Sequence, residues 1–443
     1  MENRKKIFVS AYACEPDLGS EVGVGWHWVL EMSRRFDLWV LTRKSNRRAI
    51  ENWRKSVCEG GNGVDTELAA CARNIHFLYF DLPRWARWWK KGRRGVHLYY
   101  TLWQTFSNKL VRETMQREGI EIFHHLTYGN VLWKVSAYGQ KCPYFIWGPV
   151  GGLETIPSQY TRYYSVKSRL QEFVRRILVG SVRFSFGFRQ RCKNASLILC
   201  KTDITRQCIP AAYRDKAVLF TDVAVENMEN YISQEPGKIK EHVDFLTVGR
   251  LEGWRGFDLV LEAFAKAKFE WQLRTVAGET LKPLHLTVMG NGPDAVKLQQ
   301  HARQLGLTQS DLTFTGRVPM QTYRKFISGS DVVVNASLKE GAVTVSFDSL
   351  SLGKPLICLD TTGYTRYFDS DYSILIPRLE DGEERKREDV IASLSQAMLC
   401  LLDDELRSQM GENAYKAGAK FSWDEHGREI CDIILKCVSL QDN

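Results

Sequence analysis

One local pattern occurs in the first half of the chain and again in the second. A short apolar run leads into a glycine-bearing loop, then into an amphipathic helix. Residues 7–10 (Ile-Phe-Val-Ser) read as a buried strand. The loop 14–25 follows, rich in glycine, proline and acids; helical periodicity continues through Trp26, Val29, Leu30 and Met32, and residues 38–42 form the next strand. The second half restarts at 244–248, runs into Gly249-Arg250 and a helix over 256–266, then a strand over 285–289 ending in Gly290-Asn291-Gly292-Pro293. Strand, loop, helix and strand in that order build parallel α/β layers. Further strands are expected at 75–80, 120–124, 144–147, 197–200, 312–314, 332–335 and 355–358.

A chain of 443 residues exceeds one ordinary core, so two domains are expected. The polar stretch 221–240, with Pro236-Gly237, is the natural linker. The expected division is 1–222, 223–420 and a final helix 421–443. Ile430, Ile433, Ile434 and Cys437 fall on one face of that helix, which is expected to pack back on the first domain. Doubly wound sheets bind ligands beyond the carboxyl ends of their strands.

The net charge of +9 hides a split. Residues 1–225 carry 36 Lys+Arg against 19 Asp+Glu (+17), and the remainder 25 against 33 (−8). A basic half favours anionic partners. The 11 cysteines are scattered with no C-x2-C pair, so reduced thiols are expected rather than a disulfide framework or zinc site. No run of about 18 apolar residues is present. The basic start, Met1 to Lys6, precedes too short an apolar run for a signal peptide, so a cytoplasmic chain beginning at Met1 is expected.

Three clusters carry candidate chemistry. In the first, Gly19 permits close backbone approach and the helix beginning near Ser20 offers free N–H groups to a phosphate; a plain turn capped by Ser20 is the alternative. The second spans 249–256. Arg250 follows a buried strand and Arg255 precedes a helix, and two forked guanidiniums suit a diphosphate. In the third, Glu340 lies in the loop Gly341-Ala342-Val343-Thr344, and Asp348 lies eight residues on in a helix whose N-terminus points back at that loop.

Together these clusters resemble glycosyltransferase family 4. The family's G-R-L-x-x-x-K-G is similar to Gly249-Arg250-Leu251 through Arg255-Gly256, with Arg for Lys. Its E-x7-E is similar to Glu340 and Asp348, with Asp for the second Glu. Its G-x-G-P, F-x-G-x-V and G-K-P-V-I resemble 290–293, 314–318 and 353–357. Tyr12-Ala13-Cys14-Glu15-Pro16 and Trp147-Gly148-Pro149-Val150-Gly151-Gly152 resemble one branch. The resemblance implies a GT-B fold, two Rossmann-like doubly wound parallel-sheet domains facing across a cleft. It implies a retaining, metal-independent hexosyltransferase using a UDP- or GDP-linked sugar as co-substrate, with no cofactor and no metal. It places Arg250, Arg255, Gly19 and Ser20 on the donor phosphates, Glu340 at the donor sugar, and Asp348 on the ribose. Arg317 and Val318 lie by the base, and His124 or His125 touches the sugar; a packed histidine is the alternative for each. Departures are Val343 in place of glycine and the shorter Asp348. Asp369-Ser370-Asp371 has D-x-D spacing but reads as a solvated turn.

Residues 84–94 interleave Trp85, Trp88 and Trp89 with Arg84, Arg87 and Lys91. As a helix they suit a lipid headgroup layer, so peripheral contact with the inner face of an anionic membrane is expected. Residues 167–193, with the stripe Leu170, Phe173, Val174, Ile177 and Leu178, read rather as a core-facing helix with a solvated face. The acceptor implied is a glycan or lipid-linked saccharide in cell-surface polysaccharide or glycolipid synthesis. Three rivals stand: a nucleic-acid binder using the basic half, for which no module is visible, an impaired GT-B partner subunit, and a GT-B sugar epimerase.

Overall fold

The computed structural model describes residues 4–59, 66–90, 92, 95–161, 164, 166–226, 240–339, 343–361 and 364–442. The chain divides into two compact units. Unit 1 comprises Met1–Leu153, Gly180–Asp222 and Trp423–Asn443; unit 2 comprises Glu154–Val179 and Val223–Ser422.

Unit 1 is built on seven strands: β1 Lys6–Ser10, β2 Asp37–Arg43, β3 Ile75–Phe80, β4 Ile122–His125, β5 Tyr144–Val150, β6 Leu197–Cys200 and β7 Ala217–Leu219. They pair in parallel in the order β3-β2-β1-β4-β5-β6-β7. Helices cover the sheet, so central strands are apolar along their whole length rather than alternating. Every residue of β5 is buried. The chain ends on helix Trp423–Asp442, which packs on helix Ser20–Ser33 of the same unit. Its buried residues are Trp423, His426, Gly427, Ile430, Cys431, Ile434 and Val438, a stripe rotated from the expected one. The reason is aromatic: the Trp423 ring stacks on His27 at 4.7 Å, and His426 meets Trp28 at 5.4 Å. Those contacts set the helix's roll, leaving Ile433 and Cys437 half-buried.

Unit 2 has six parallel strands: β8 Val243–Val248, β9 Leu284–Met289, β10 Leu312–Gly316, β11 Val332–Asn335, β12 Leu356–Asp360 and β13 Ser373–Pro377. Their order is β10-β9-β8-β11-β12-β13. The core packs β8, β9 and β11 against Leu259, Val260 and Phe264 of helix Phe257–Val276 and Val390 and Leu394 of helix Arg387–Cys400.

The segment Glu154–Val179 belongs to unit 2, whereas the expected division kept it in the first domain. Ile156, Tyr160 and Tyr164 enter unit 2's core. Tyr160 Oη and Gln159 Nε2 both donate to Arg385 O, at 3.0 and 2.9 Å. Lys339 pairs with Glu172 where both side chains are largely covered. The helix Val166–Ser181 turns Leu170, Phe173, Val174, Ile177 and Leu178 outward, all at least 46% exposed, which corrects the core-facing expectation. Its polar side makes the anchoring bonds instead: Arg175 Nη2 and Arg176 Nη2 donate to Glu154 O and Ile156 O at 3.0 and 2.7 Å. Among the described residues no helix is long and apolar enough to cross a membrane.

Candidate active site

In a parallel sheet every loop that follows a strand emerges at the same edge. In unit 2 that edge collects Gly249-Arg250 after β8, 290–293 after β9, Arg317-Val318 after β10 and 336–339 after β11. Strands β8 and β11 are neighbours although β9, β10 and three α-helices lie between them in sequence, so connections diverge on either side of this pair. Such a switch point opens a crevice at the carboxyl edge.

The loop 249–256 is held rigidly across it. Leu338 N donates to Trp254 O at 2.8 Å, tying the loop after β8 to the loop after β11. Gly256 has φ 67°, and a Cβ there would lie 2.1 Å from Ala336 O, so only glycine closes this turn. Gly290 is required too: its Cβ would lie 1.8 Å from Gly249 O. Beneath the loop, Arg387 binds Asp258 at 2.9 Å and grips Glu262 at 2.6 and 2.8 Å. His301 adds a contact of 2.9 Å to Glu262. Burial alone would raise the Glu262 carboxyl, but these hydrogen bonds overcome it and pull it to about 2. This network fixes the first turn of helix Phe257–Val276 under Arg255.

Both candidate phosphate ligands sit on this loop. Arg250 Nε donates to Glu252, whose other oxygen accepts from Trp254 Nε1 at 2.7 Å. Arg255 lies over the Trp254 ring, 4.2 Å from its centroid. The Arg250–Glu252 pair is more than a quarter exposed on each side, and such pairs contribute only about 0–1 kcal/mol. A dianionic diphosphate can therefore take Arg250 from Glu252 at little cost.

Helix Thr344–Ser351 begins at the same edge, and Val343 is its N-cap. Asn335, the last residue of β11, donates Nδ2 to Ser346 Oγ at 3.1 Å and pins the helix start to the strand end. Asp348 is 4% exposed and accepts from Tyr323 Oη at 2.5 Å. Burial drives its carboxyl up to about 7; the Tyr323 bond opposes this and Glu226 adds to it, while Arg324 partly offsets Glu226 through a 2.5 Å ion pair. Arg317 is exposed and Val318 half-buried. Glu340, Gly341 and Ala342 lie outside the described residues.

In unit 1 the N-cap of helix Ser20–Ser33 is Gly19, not Ser20. Ser20 has φ 61° and no side-chain cap bond, so the turn stays open toward solvent. Glu21, in the first turn, accepts from Tyr128 N at 2.6 Å; burial raises its carboxyl against the pull of Lys201. His124 and His125 close β4, and they are 0% and 1% exposed. His124 Nε2 lies 2.7 Å from Gly148 O, and His125 Nε2 lies 3.2 Å from Tyr100 Oη. Burial lowers them to about 4 and about 3, so both rings are neutral. They lie within the sheet packing, and neither offers a nitrogen to a bound sugar as it stands.

Sucrose-phosphate synthase from Thermosynechococcus elongatus aligns over 99% of this chain and 100% of its own, with a TM-score of 0.62 at 13% identity. Anabaena HepE, solved with UDP and glucose, aligns over 98% and 99%, with a TM-score of 0.53 at 13% identity. The fold is GT-B. Residues 229–417, in unit 2 of this GT-B chain, match the model of glycosyl transferases group 1. An uncharacterized glycosyltransferase of Methanocaldococcus jannaschii, MJ1069, is 22% identical over 233 residues, 51% of this chain and 54% of that relative. The chain thus spans about half the length of that curated relative.

Not every family-like motif belongs to the site. Gly353-Lys354-Pro355 precedes β12, so it lies at the amino edge, opposite Arg250. It is a turn: Lys354 N donates to Ser349 O at 2.8 Å, and Gly353 has φ 61°. Asp369-Ser370-Asp371 also lies at an amino edge, before β13, in an exposed turn closed by Asp371 N donating to Asp369 Oδ1 at 3.2 Å. Glu252, Trp254 and Tyr323 were not among the candidate residues. The first two lie inside the recognised loop and signalled themselves only by adjacency. Tyr323 is 25 residues from its partner, and no spacing rule reaches it.

Proposed function

We propose that the protein transfers a sugar from a UDP- or GDP-linked donor to a glycan or lipid-linked saccharide acceptor. The observation supporting this is that Arg250 and Arg255 sit on the loop after β8 while helix Thr344–Ser351, which carries Asp348, starts beyond the neighbouring strand β11. Breaking the bond between the sugar and the diphosphate builds charge on the leaving oxygen. Two fixed guanidiniums and the dipole of helix Thr344–Ser351 offset that charge as it forms. They supply what a metal ion supplies elsewhere, and we infer metal-independent chemistry. Asp348, held by Tyr323, accepts from the ribose hydroxyls, and Arg317 and Val318 border the base. The family resemblance suggests that Glu340, eight residues before Asp348, acts at the donor sugar, with retention at the anomeric carbon. The match to glycosyl transferases group 1 supports this reading. HepE's structure with UDP and glucose suggests the uridine donor class. The exposed Trp85 and Trp88, in the basic unit, support peripheral attachment to an anionic membrane.

The test is release of UDP or GDP from a sugar nucleotide in the presence of membrane extract and EDTA. Wild-type protein is expected to turn over. Arg250→Ala and Arg255→Ala are each expected to lose about 10²–10³-fold. Wild-type rates in both variants would remove the diphosphate clamp.

A further inference from the structure

Unit 1 carries a cavity of about 400 Å³ that the reading above does not use. Its size is that of a small-ligand pocket, roughly 300–1,000 Å³. It lies at the carboxyl edge of the sheet: Tyr12 follows β1, Arg43 ends β2, and Asp81 follows β3. Arg87, Lys90 and Tyr99 complete its polar wall. Three cations therefore line it against one carboxylate.

The carboxylate is already committed. Asp81 accepts from Arg87, from Tyr99 Oη and from Leu82 N, the last at 2.8 Å. It holds the wall together and leaves Arg43 and Lys90 without a counter-charge among the lining residues. Arg43 is fixed in place: its Nε donates to Tyr12 O at 3.1 Å and its guanidinium stacks 4.8 Å over the Tyr12 ring. One edge of the fork is thus spent on positioning, which prepares the other for a ligand at little entropic cost. Lys90 is steered by Gly92 O and the Tyr99 ring, 5.9 Å away. The aromatic surfaces of Tyr12 and Tyr99 beside these cations suit a sugar ring next to an anion.

We infer that this cavity binds the anionic group, phosphate or carboxylate, of a saccharide acceptor. The inference rests on the glycosyl-transfer reading for its meaning, but anion binding can be measured separately. Inorganic pyrophosphate and glucuronate would be titrated calorimetrically into the full chain, with saturating UDP present to occupy unit 2. Wild type is expected to bind one equivalent of at least one of them: pyrophosphate alone indicates a phosphorylated acceptor, glucuronate alone an acidic sugar. Arg87→Ala combined with Lys90→Ala is expected to weaken binding at least tenfold. UDP affinity should stay within twofold and the melting temperature within a few degrees. Arg87→Lys, which retains the charge, is expected to restore most of the binding. Equal binding by wild type and the double variant, or no binding of either anion by wild type, overturns the inference. If UDP itself fails to bind, the donor reading falls, and pyrophosphate loss in the Arg87/Lys90 variant but not in Arg250→Ala would still uphold the cavity.

Discussion

Asp348 shows how a single residue ties the donor reading to an observable. Its folded carboxyl titrates near 7 because burial outweighs the Tyr323 hydrogen bond. A protonated carboxyl cannot accept from both ribose hydroxyls, so donor affinity should follow its ionisation. Affinity for UDP-glucose, whose phosphates do not titrate here, is expected to rise about tenfold from pH 6 to pH 8 and to become flat in Asp348→Asn. A flat wild-type profile would take Asp348 out of the site. The linked effect on stability has the opposite sense. The folded carboxyl keeps its proton from about pH 4 to 7 while the unfolded one has lost it. Stability therefore falls as pH rises across that window. The two histidines teach the reverse lesson. Their place at the end of β4 was legible in the sequence, but the packing of Trp28, Gly148 and Tyr100 around them was not.

Elements were legible where local pattern alone decides them. The apolar runs of β1, β6 and β11 admit little but buried strands. Strand β7, only three residues, and strand β13, whose apolar run is three residues between Ser373 and Pro377, carry too weak a signal. Periodicity also reveals that a helix has an apolar face without saying what meets it. The stripe of Val166–Ser181 was expected inside and lies outside, because the anchoring bonds come from Arg175 and Arg176. Among its described residues the tryptophan segment is helical over Arg84–Arg87, and Lys91, Arg93 and Arg94 lie outside the described residues. Trp85 and Trp88 are nonetheless 69% and 77% exposed, while Trp89 is half-buried and donates Nε1 to Ala86 O at 2.9 Å. Flotation with anionic liposomes tests both elements. Wild type is expected to float. Trp85→Ala with Trp88→Ala, or Phe173→Ser with Ile177→Ser, is expected to reduce the floated fraction several-fold, and high salt to reduce it further. Undiminished flotation in both double variants would remove the proposed membrane contact.

At the scale of the molecule, the doubled strand–loop–helix pattern was sufficient to anticipate two parallel-sheet units, since each turn of that pattern admits few topologies. The crossing of Glu154–Val179 into unit 2 was not legible. It depends on Tyr160 and Tyr164 finding a core whose other members lie in the second half of the sequence. The charge split takes on physical sense here. The basic half holds the cationic cavity and the exposed tryptophans, and the acidic half keeps Arg250 and Arg255 for one tightly framed loop. The central claim is that a nucleotide diphosphate docks on that loop. Amide hydrogen exchange with and without UDP-glucose tests it most directly. Protection is predicted to concentrate in 249–256, 290–293 and 343–348, and to vanish in Arg250→Ala. Protection confined to other segments, or none at saturating ligand, would contradict the account.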